Sequence, residues 1–202
     1  MSNQQLVNGL RAKVPLKMPE LVEAFLSVDR IRFVPERYRD NAYHDRPLPI
    51  DHGQTISQPY TVAFMLELLK PQKGHSVLDI GSGSGWTTAL LAHVVGRNGR
   101  VRGIERVPEL VTLGQDNLAA FNFLYASIEQ SGELLGTPGE LYDRILVSAA
   151  AEDLPDTLCE QLKPRGILVI PVGKYILKVS KDSRGQVKVN QHESCTPSAT
   201  GN

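Results

Sequence analysis

VLDIGSGSGW, residues 77–86, decides the fold of this chain. A short apolar run enters a loop that alternates glycine and serine, and an apolar helical pattern, GWTTALLAHVV (85–95), leaves it. Glycine lets a backbone turn tightly and lets a ligand approach it closely. A strand, a glycine turn and a helix in that order open an α/β unit, with ligands bound at the strand's carboxyl end. A dinucleotide loop would read G-x-G-x-x-G. Here the third glycine, Gly85, comes one residue early and Trp86 holds its place. No G-x-x-x-x-G-K-[ST] is present, which excludes a P-loop. Asp79 stands two residues before Gly81, and Glu105 stands at the end of the next apolar run, where a carboxylate suits ribose hydroxyls.

Outward from the loop, strands and helices alternate. SVLDI (76–80), RVRGIE (100–105), FLYASIE (123–129), DRILVSAA (143–150) and ILVIPV (167–172) read as strands. GWTTALLAHVV, PELVTLGQDNLAAF (108–121) and LPDTLCEQLK (154–163) read as helices, with a turn at Pro164-Arg165-Gly166. Such alternation predicts a Rossmann-like, doubly wound α/β sheet, mostly parallel. YILKVSKDSRGQVKVNQ (175–191) reads as a closing antiparallel hairpin turned at Ser183-Arg184-Gly185, and the last ten residues as a frayed end. On the N-terminal side, helices are expected over 3–13, 19–28 and 60–70, the last stopped by Pro71 and Gly74. Between them, residues 36–59 form a long irregular stretch with three prolines, a length usual for functional loops.

Bulk composition narrows the function. With 202 residues, 41% hydrophobic, the chain suits one domain with a sizeable core. We read it as an N-terminal helical and loop region over 1–58, a ligand-binding αβ core over 59–173 and a hairpin and tail over 174–202. Net charge is zero, so no general field favours nucleic acid or an anionic membrane. RIRFVPERYR (30–39) mixes arginines with acids and reads as a solvated, salt-bridged face. Cys159 and Cys195 make no disulfide framework, no apolar run approaches the roughly 20 residues of a membrane span, and the N-terminus lacks a signal-peptide core. A cytoplasmic location is the expectation. His, Asp and Glu do not cluster at metal-ligand spacing, and the five histidines are scattered, so no metal is expected.

The pattern D-x-G-x-G-x-G over Asp79–Gly85 resembles motif I of the class I S-adenosylmethionine methyltransferases. That resemblance makes Asp79, Gly81, Ser82, Gly83, Ser84 and Glu105, with its neighbour Arg106, cofactor-side candidates. The strand before residue 151 ends in Ser-Ala-Ala-Ala, not in the [DN]-P-P-[YFW] of amino-group methyltransferases acting on nucleic-acid bases, and no Pro-Cys nucleophile is present. A carboxylate acceptor remains, because its reference pKa near 4 leaves it ionised at neutral pH without a base.

PLPI (47–50), GQTISQP (53–59), VLDIGSGSGW, YDRILVSAAA (142–151) and LKPRGILVIPVG (162–173) resemble, in order, the protein-L-isoaspartate O-methyltransferase family. The resemblance covers about residues 6–173. It implies methylation of the abnormal α-carboxylate of L-isoaspartyl residues in damaged proteins, with S-adenosyl-L-homocysteine as the second product. It implies a monomer acting on peptides and proteins. The family's active-site serine falls on Ser57, which is also a good N-cap for the following helix. Ile56, Gln58 and Pro59 would cover the cofactor, and Pro59 also reads as a helix starter. Two departures stand out: Ser131-Gly132-Glu133 replaces the family's Gly-Asp-Gly, and the segment after Val172-Gly173 lacks the family's glutamine and closing strand. Two alternatives stay open: transfer to another peptide carboxylate, and cofactor binding without turnover.

Overall fold

The structure is a computed structural model and describes residues 1–193; the expectation of a frayed end falls almost wholly on 194–202, outside the described residues, as does Cys195. Helices α1 (Asn3–Lys13) and α2 (Pro19–Ser27) lead into two 3-10 turns, Arg30–Phe33 and Glu36–Asn41. The long irregular stretch then contains a small hairpin, β1 (Leu48–Asp51) and β2 (Gln54–Ile56), before α3 (Pro59–Leu69). The αβ alternation follows: β3 (Ser76–Ile80), α4 (Trp86–Val95), β4 (Arg100–Glu105), α5 (Pro108–Ala119), β5 (Ala126–Gln130), β6 (Tyr142–Val147) and α6 (Asp156–Glu160). Strands β7 (Leu162–Val172), β8 (Tyr175–Lys181) and β9 (Val187–Glu193) complete it.

The main sheet has the order β5-β4-β3-β6-β7-β8-β9. Strands β3 to β7 run parallel, and β8 and β9 are antiparallel additions, as the sequence pattern predicts. Successive crossovers carry the chain from β3 to β4 to β5 in one direction, then back to β6 on the other side of β3. Order therefore reverses between β3 and β6, and an open α/β sheet binds ligands at the carboxyl ends flanking such a reversal.

One core lies between the sheet and helices α1 to α5, with Phe25, Leu66, Leu90 and Leu91 fully enclosed. A smaller core on the opposite face gathers Leu78, Ile145, Leu158, Leu168 and Val179. The helix expected over 154–163 is shorter than its apolar spacing suggests. It stops at Glu160, because the Tyr142 N–H donates to the Gln161 carbonyl and starts strand pairing there. Pro164 has no N–H for a helix to use. The expected turn at 164–166 is instead a register shift inside β7, with Arg165 at φ 65°.

Candidate active site

The loops after β3 and β6, either side of the reversal, border one cavity of about 470 Å³. Its wall includes Gly81, Gly83, Glu105, Arg106, Ser131, Ser148 and Ser57. That volume lies within the roughly 300–1,000 Å³ usual for small-ligand sites. A second, smaller cavity of about 30 Å³ continues from it between the glycine turn and the Ser57 segment. Hydroxyl residues line it: Thr55, Ser57, Ser82, Ser84, Thr87 and Ser148. The Ser82 hydroxyl is buried there without a hydrogen-bond partner among the described residues.

The glycine turn is held by the sheet. The Gly81 and Ser82 N–H groups donate to the Ile104 carbonyl, and the Asn117 side-chain amide donates to the Ser84 carbonyl. Gly81, Gly83 and Gly85 all have positive φ, at 77°, 52° and 88°. Glu105 is buried, and its carboxylate accepts three backbone N–H groups, from Gly83 at 2.9 Å, Arg106 at 2.7 Å and Val107 at 3.0 Å. One carboxylate thus ties the glycine turn to the turn after β4, and Oε2, with a single N–H partner, retains accepting capacity.

Asp79 sits differently from the other candidates. It is fully buried and borders neither cavity. Its Oδ2 accepts from the Thr87 and Thr88 hydroxyls at 2.7 and 2.6 Å, which ties β3 to the first turn of α4. Burial raises its pKa to about 6; the two threonine hydroxyls oppose the rise and the Glu105 charge adds to it.

The opposite wall comes from the β1–β2 hairpin. Ile50, Gln54 and Thr55 line the large cavity, and Ile56 the small one. The Ser57 hydroxyl borders both and makes no hydrogen bond to the described residues. The alternative that Ser57 caps α3 fails: the N-cap is Gln58, which has no side-chain cap bond. Asp45 does the capping from a distance, its Oδ1 accepting from the Tyr60 N–H at 2.9 Å. Gln58 and Pro59 are not brought to either cavity. The Gln58 amide donates to the Asp45 carbonyl, and Pro59 is buried as the first helical residue.

Several lining residues carried no signal in the sequence. Leu134 and Leu135 hold an apolar lip over the cavity and remain 68% and 43% exposed. Gln161 pins that lip: its amide donates to the Leu135 carbonyl and accepts from the Thr137 N–H. Ala149 and Ala150, by contrast, belong to the YDRILVSAAA motif and line the cavity after β6. The reading of residues 30–39 as a solvated face holds for Arg37 with Asp51 and for Arg39 with Glu36, but not for Arg30. Arg30 is fully buried. The 3-10 turn Arg30–Phe33 turns it inward on the same side as Phe33, and both are buried.

The chain matches the family model described as protein-L-isoaspartate(D-aspartate) O-methyltransferase over residues 1–197. A protein-L-isoaspartate O-methyltransferase from Methanopyrus kandleri is 42% identical over 200 residues, spanning 96% of this chain and 88% of that protein. One from Methanosarcina mazei is 45% identical over 186 residues, spanning 90% and 76%. The fold also aligns with the crystal structure of a chain from Plasmodium falciparum described under the same activity, in complex with S-adenosyl-L-homocysteine. There the TM-score is 0.84, with 25% identity and 96% of both chains covered. On the family match and on relatives alike over nearly its whole length, this chain belongs to the protein-L-isoaspartate O-methyltransferase family.

Proposed function

We propose that this chain transfers a methyl group from S-adenosylmethionine to the α-carboxylate of L-isoaspartyl residues in peptides and damaged proteins. The observation that carries this is the Ser57 hydroxyl. Asp45 bonds the start of α3 in its place, and Ser57 lines both cavities together with residues of the glycine turn. S-adenosylmethionine, when bound, supplies a methyl group on a cationic sulfur that is already a good leaving group. Gly81, Ser82, Gly83 and Ser84 would hold its amino-acid end in the small hydroxyl-lined cavity, where the partnerless Ser82 hydroxyl is an acceptor and donor in waiting. Glu105 would take a ribose hydroxyl on its remaining lone pair, with Arg106 beside it at the exposed rim. Ile56 would lie under the ligand. Asp79 acts from beneath, through the threonines, and Gln58 and Pro59 act by shaping the loop.

The acceptor needs no general base, since a carboxylate is ionised at neutral pH. What the chain must do is hold the carboxylate in line with the methyl group, and orientation alone lowers barriers substantially. Ser57 donates a hydrogen bond to one carboxylate oxygen and leaves the other to react. Among the described residues no base is hydrogen-bonded to the Ser57 hydroxyl, so its role is that of a donor and not a nucleophile. We propose further that residues 1–58, 59–173 and 174–202 work as one methyltransferase unit, as a cytoplasmic monomer acting on protein and not on nucleic acid. A net charge of zero supports the last point. No helix among the described residues is long and apolar enough to cross a membrane.

The deciding experiment uses two peptides, identical except for L-isoaspartate or aspartate at one position. Each is incubated with methyl-labelled S-adenosylmethionine, and base-labile methanol is counted. Label from the isoaspartyl peptide alone is the expected result. Label from both peptides points to a less selective carboxyl methyltransferase. Label from neither, with S-adenosyl-L-homocysteine still bound, leaves a cofactor site without this acceptor.

A further inference from the structure

Arg30 is the largest fully buried side chain among the described residues. A buried guanidinium ordinarily faces a carboxylate, because an uncompensated charge is costly to bury. Among the described residues no carboxylate lies within ion-pair distance of Arg30. Its two terminal nitrogens meet backbone carbonyls instead, while Nε has no partner among the described residues. Nη1 donates to the carbonyls of Ala42 at 2.5 Å and His44 at 3.4 Å, and Nη2 to those of Arg46 and Ser57, both at 3.1 Å. All four acceptors belong to the single segment 42–57 that carries the hairpin wall of the cavity. The guanidinium also lies 5.2 Å from the ring centroid of Trp86, the first helical residue after the glycine turn. A guanidinium at that distance from a tryptophan face is attracted to it. One side chain therefore grips both ends of the Ser57 segment and rests on the element that follows the cofactor turn.

From this geometry we infer that Arg30 is a positioning residue for methyl transfer: it sets where Ser57 stands relative to the glycine turn. The inference rests on the function proposed above. A planar fork with five donors can hold several carbonyls in fixed directions, and a lysine ammonium, a compact point donor, cannot. The role needs charge and fork together, which accounts for a buried arginine without an ion-pair partner.

The test compares the full-length protein with Arg30→Lys, Ser57→Ala and the double variant. Turnover is measured on the isoaspartyl peptide, and S-adenosyl-L-homocysteine affinity by calorimetry. Arg30→Lys is expected to lower kcat/KM about tenfold or more, the scale of one lost hydrogen bond to a charged group. Affinity for S-adenosyl-L-homocysteine should stay within about threefold, since the glycine turn is held by the sheet. In the Ser57→Ala background the same change should lower kcat/KM less than about threefold, because residues acting as a unit do not add. Equal losses in both backgrounds, or a parallel loss of S-adenosyl-L-homocysteine affinity, would overturn the inference.

Amide hydrogen exchange gives a second readout that does not depend on turnover. Residues 42–58 should exchange faster in Arg30→Lys while residues 76–105 keep their protection. Unchanged exchange in 42–58, or loosening of the whole chain, would reduce Arg30 to a packing role. If the wild type methylates neither peptide, the proposed function fails while the exchange result still decides Arg30. Should Arg30→Lys not fold, Arg30→Gln, which keeps a planar amide donor without the charge, is measured in the same way.

Discussion

The cavity has two walls, and they are built by different means. The glycine wall hangs from the parallel sheet. Its backbone donates to the carbonyl of Ile104 and to Glu105, both on the adjacent strand. The hairpin wall has only two short strands and three successive residues at positive φ, Asp51, His52 and Gly53. It is held by side-chain contacts: Arg30 to four carbonyls, Asp45 to the start of α3, and Arg37 to Asp51. A wall tied by backbone to a sheet tolerates little change and stays in place when the other wall is disturbed. The wall held by side chains can shift its serine while the cofactor side remains whole. Damage to the first should therefore appear in cofactor affinity, and damage to the second in turnover.

The largest effect is expected from Gly83→Val. Gly83 has φ 52°, and a Cβ there would stand 3.3 Å from the Ile50 methyl group across the cavity. A β-branched residue resists that backbone region and fills the space between the walls. Affinity for S-adenosyl-L-homocysteine, measured by calorimetry, should fall at least about a hundredfold, the sum of lost hydrogen bonds and lost volume. Wild-type affinity would mean that the ligand does not bind at this turn. Next comes Glu105→Gln. An amide presents a donor where Gly83, Arg106 and Val107 all donate, so one of three bonds becomes a clash of donors. Affinity should drop about tenfold to a hundredfold, with kcat at saturating cofactor little changed.

Ser57→Ala sharpens the contrast from the other side. Cofactor affinity should stay within about threefold of wild type. The value of kcat/KM for the isoaspartyl peptide should fall about tenfold to a hundredfold, as for a lost hydrogen bond to a charged group. The melting temperature should not move, because Ser57 does not cap α3. A lower melting temperature with unchanged turnover would return Ser57 to a structural role.

The same contrast explains how much could be read from the sequence. The glycine wall is local: its turn, its strand and its helix lie within residues 76–95, and spacing alone reveals them. The alternation of strands and helices was legible for the same reason, down to the hairpin at the end. The hairpin wall is not local. Ser57 stood out only through its resemblance to a family motif, and its capping alternative failed because Asp45, twelve residues upstream, does that work. Arg30 looked like a surface charge because neighbouring arginines are paired with acids; its backbone acceptors leave no trace in a sequence. Leu134 and Leu135 were missed because an exposed leucine has no pattern until a cavity is seen beside it.

The smallest effect on binding is expected at Asp79, although it belongs to the motif that first drew attention. Its carboxylate touches the Thr87 and Thr88 hydroxyls and borders neither cavity, so Asp79→Asn should leave S-adenosyl-L-homocysteine affinity within about threefold, the additivity expected of a residue out of ligand contact. Its effect should appear in stability against pH. Burial raises the folded pKa from 3.8 to about 6, so the folded state holds a proton between those values that the unfolded chain has released. Stability contributed by that proton is present at about pH 4 and is lost as pH rises towards about 6, then changes no further. The melting temperature of the wild type minus that of Asp79→Asn should accordingly fall across this window and be flat from pH 7 to 8. A difference that is flat across this window and rises with pH only below about pH 4 would mean that the threonine hydroxyls outweigh burial and that Asp79 is held as an anion. A large loss of S-adenosyl-L-homocysteine affinity in Asp79→Asn would show the glycine wall depending on its buried support as closely as on its backbone, and would narrow the difference between the two walls.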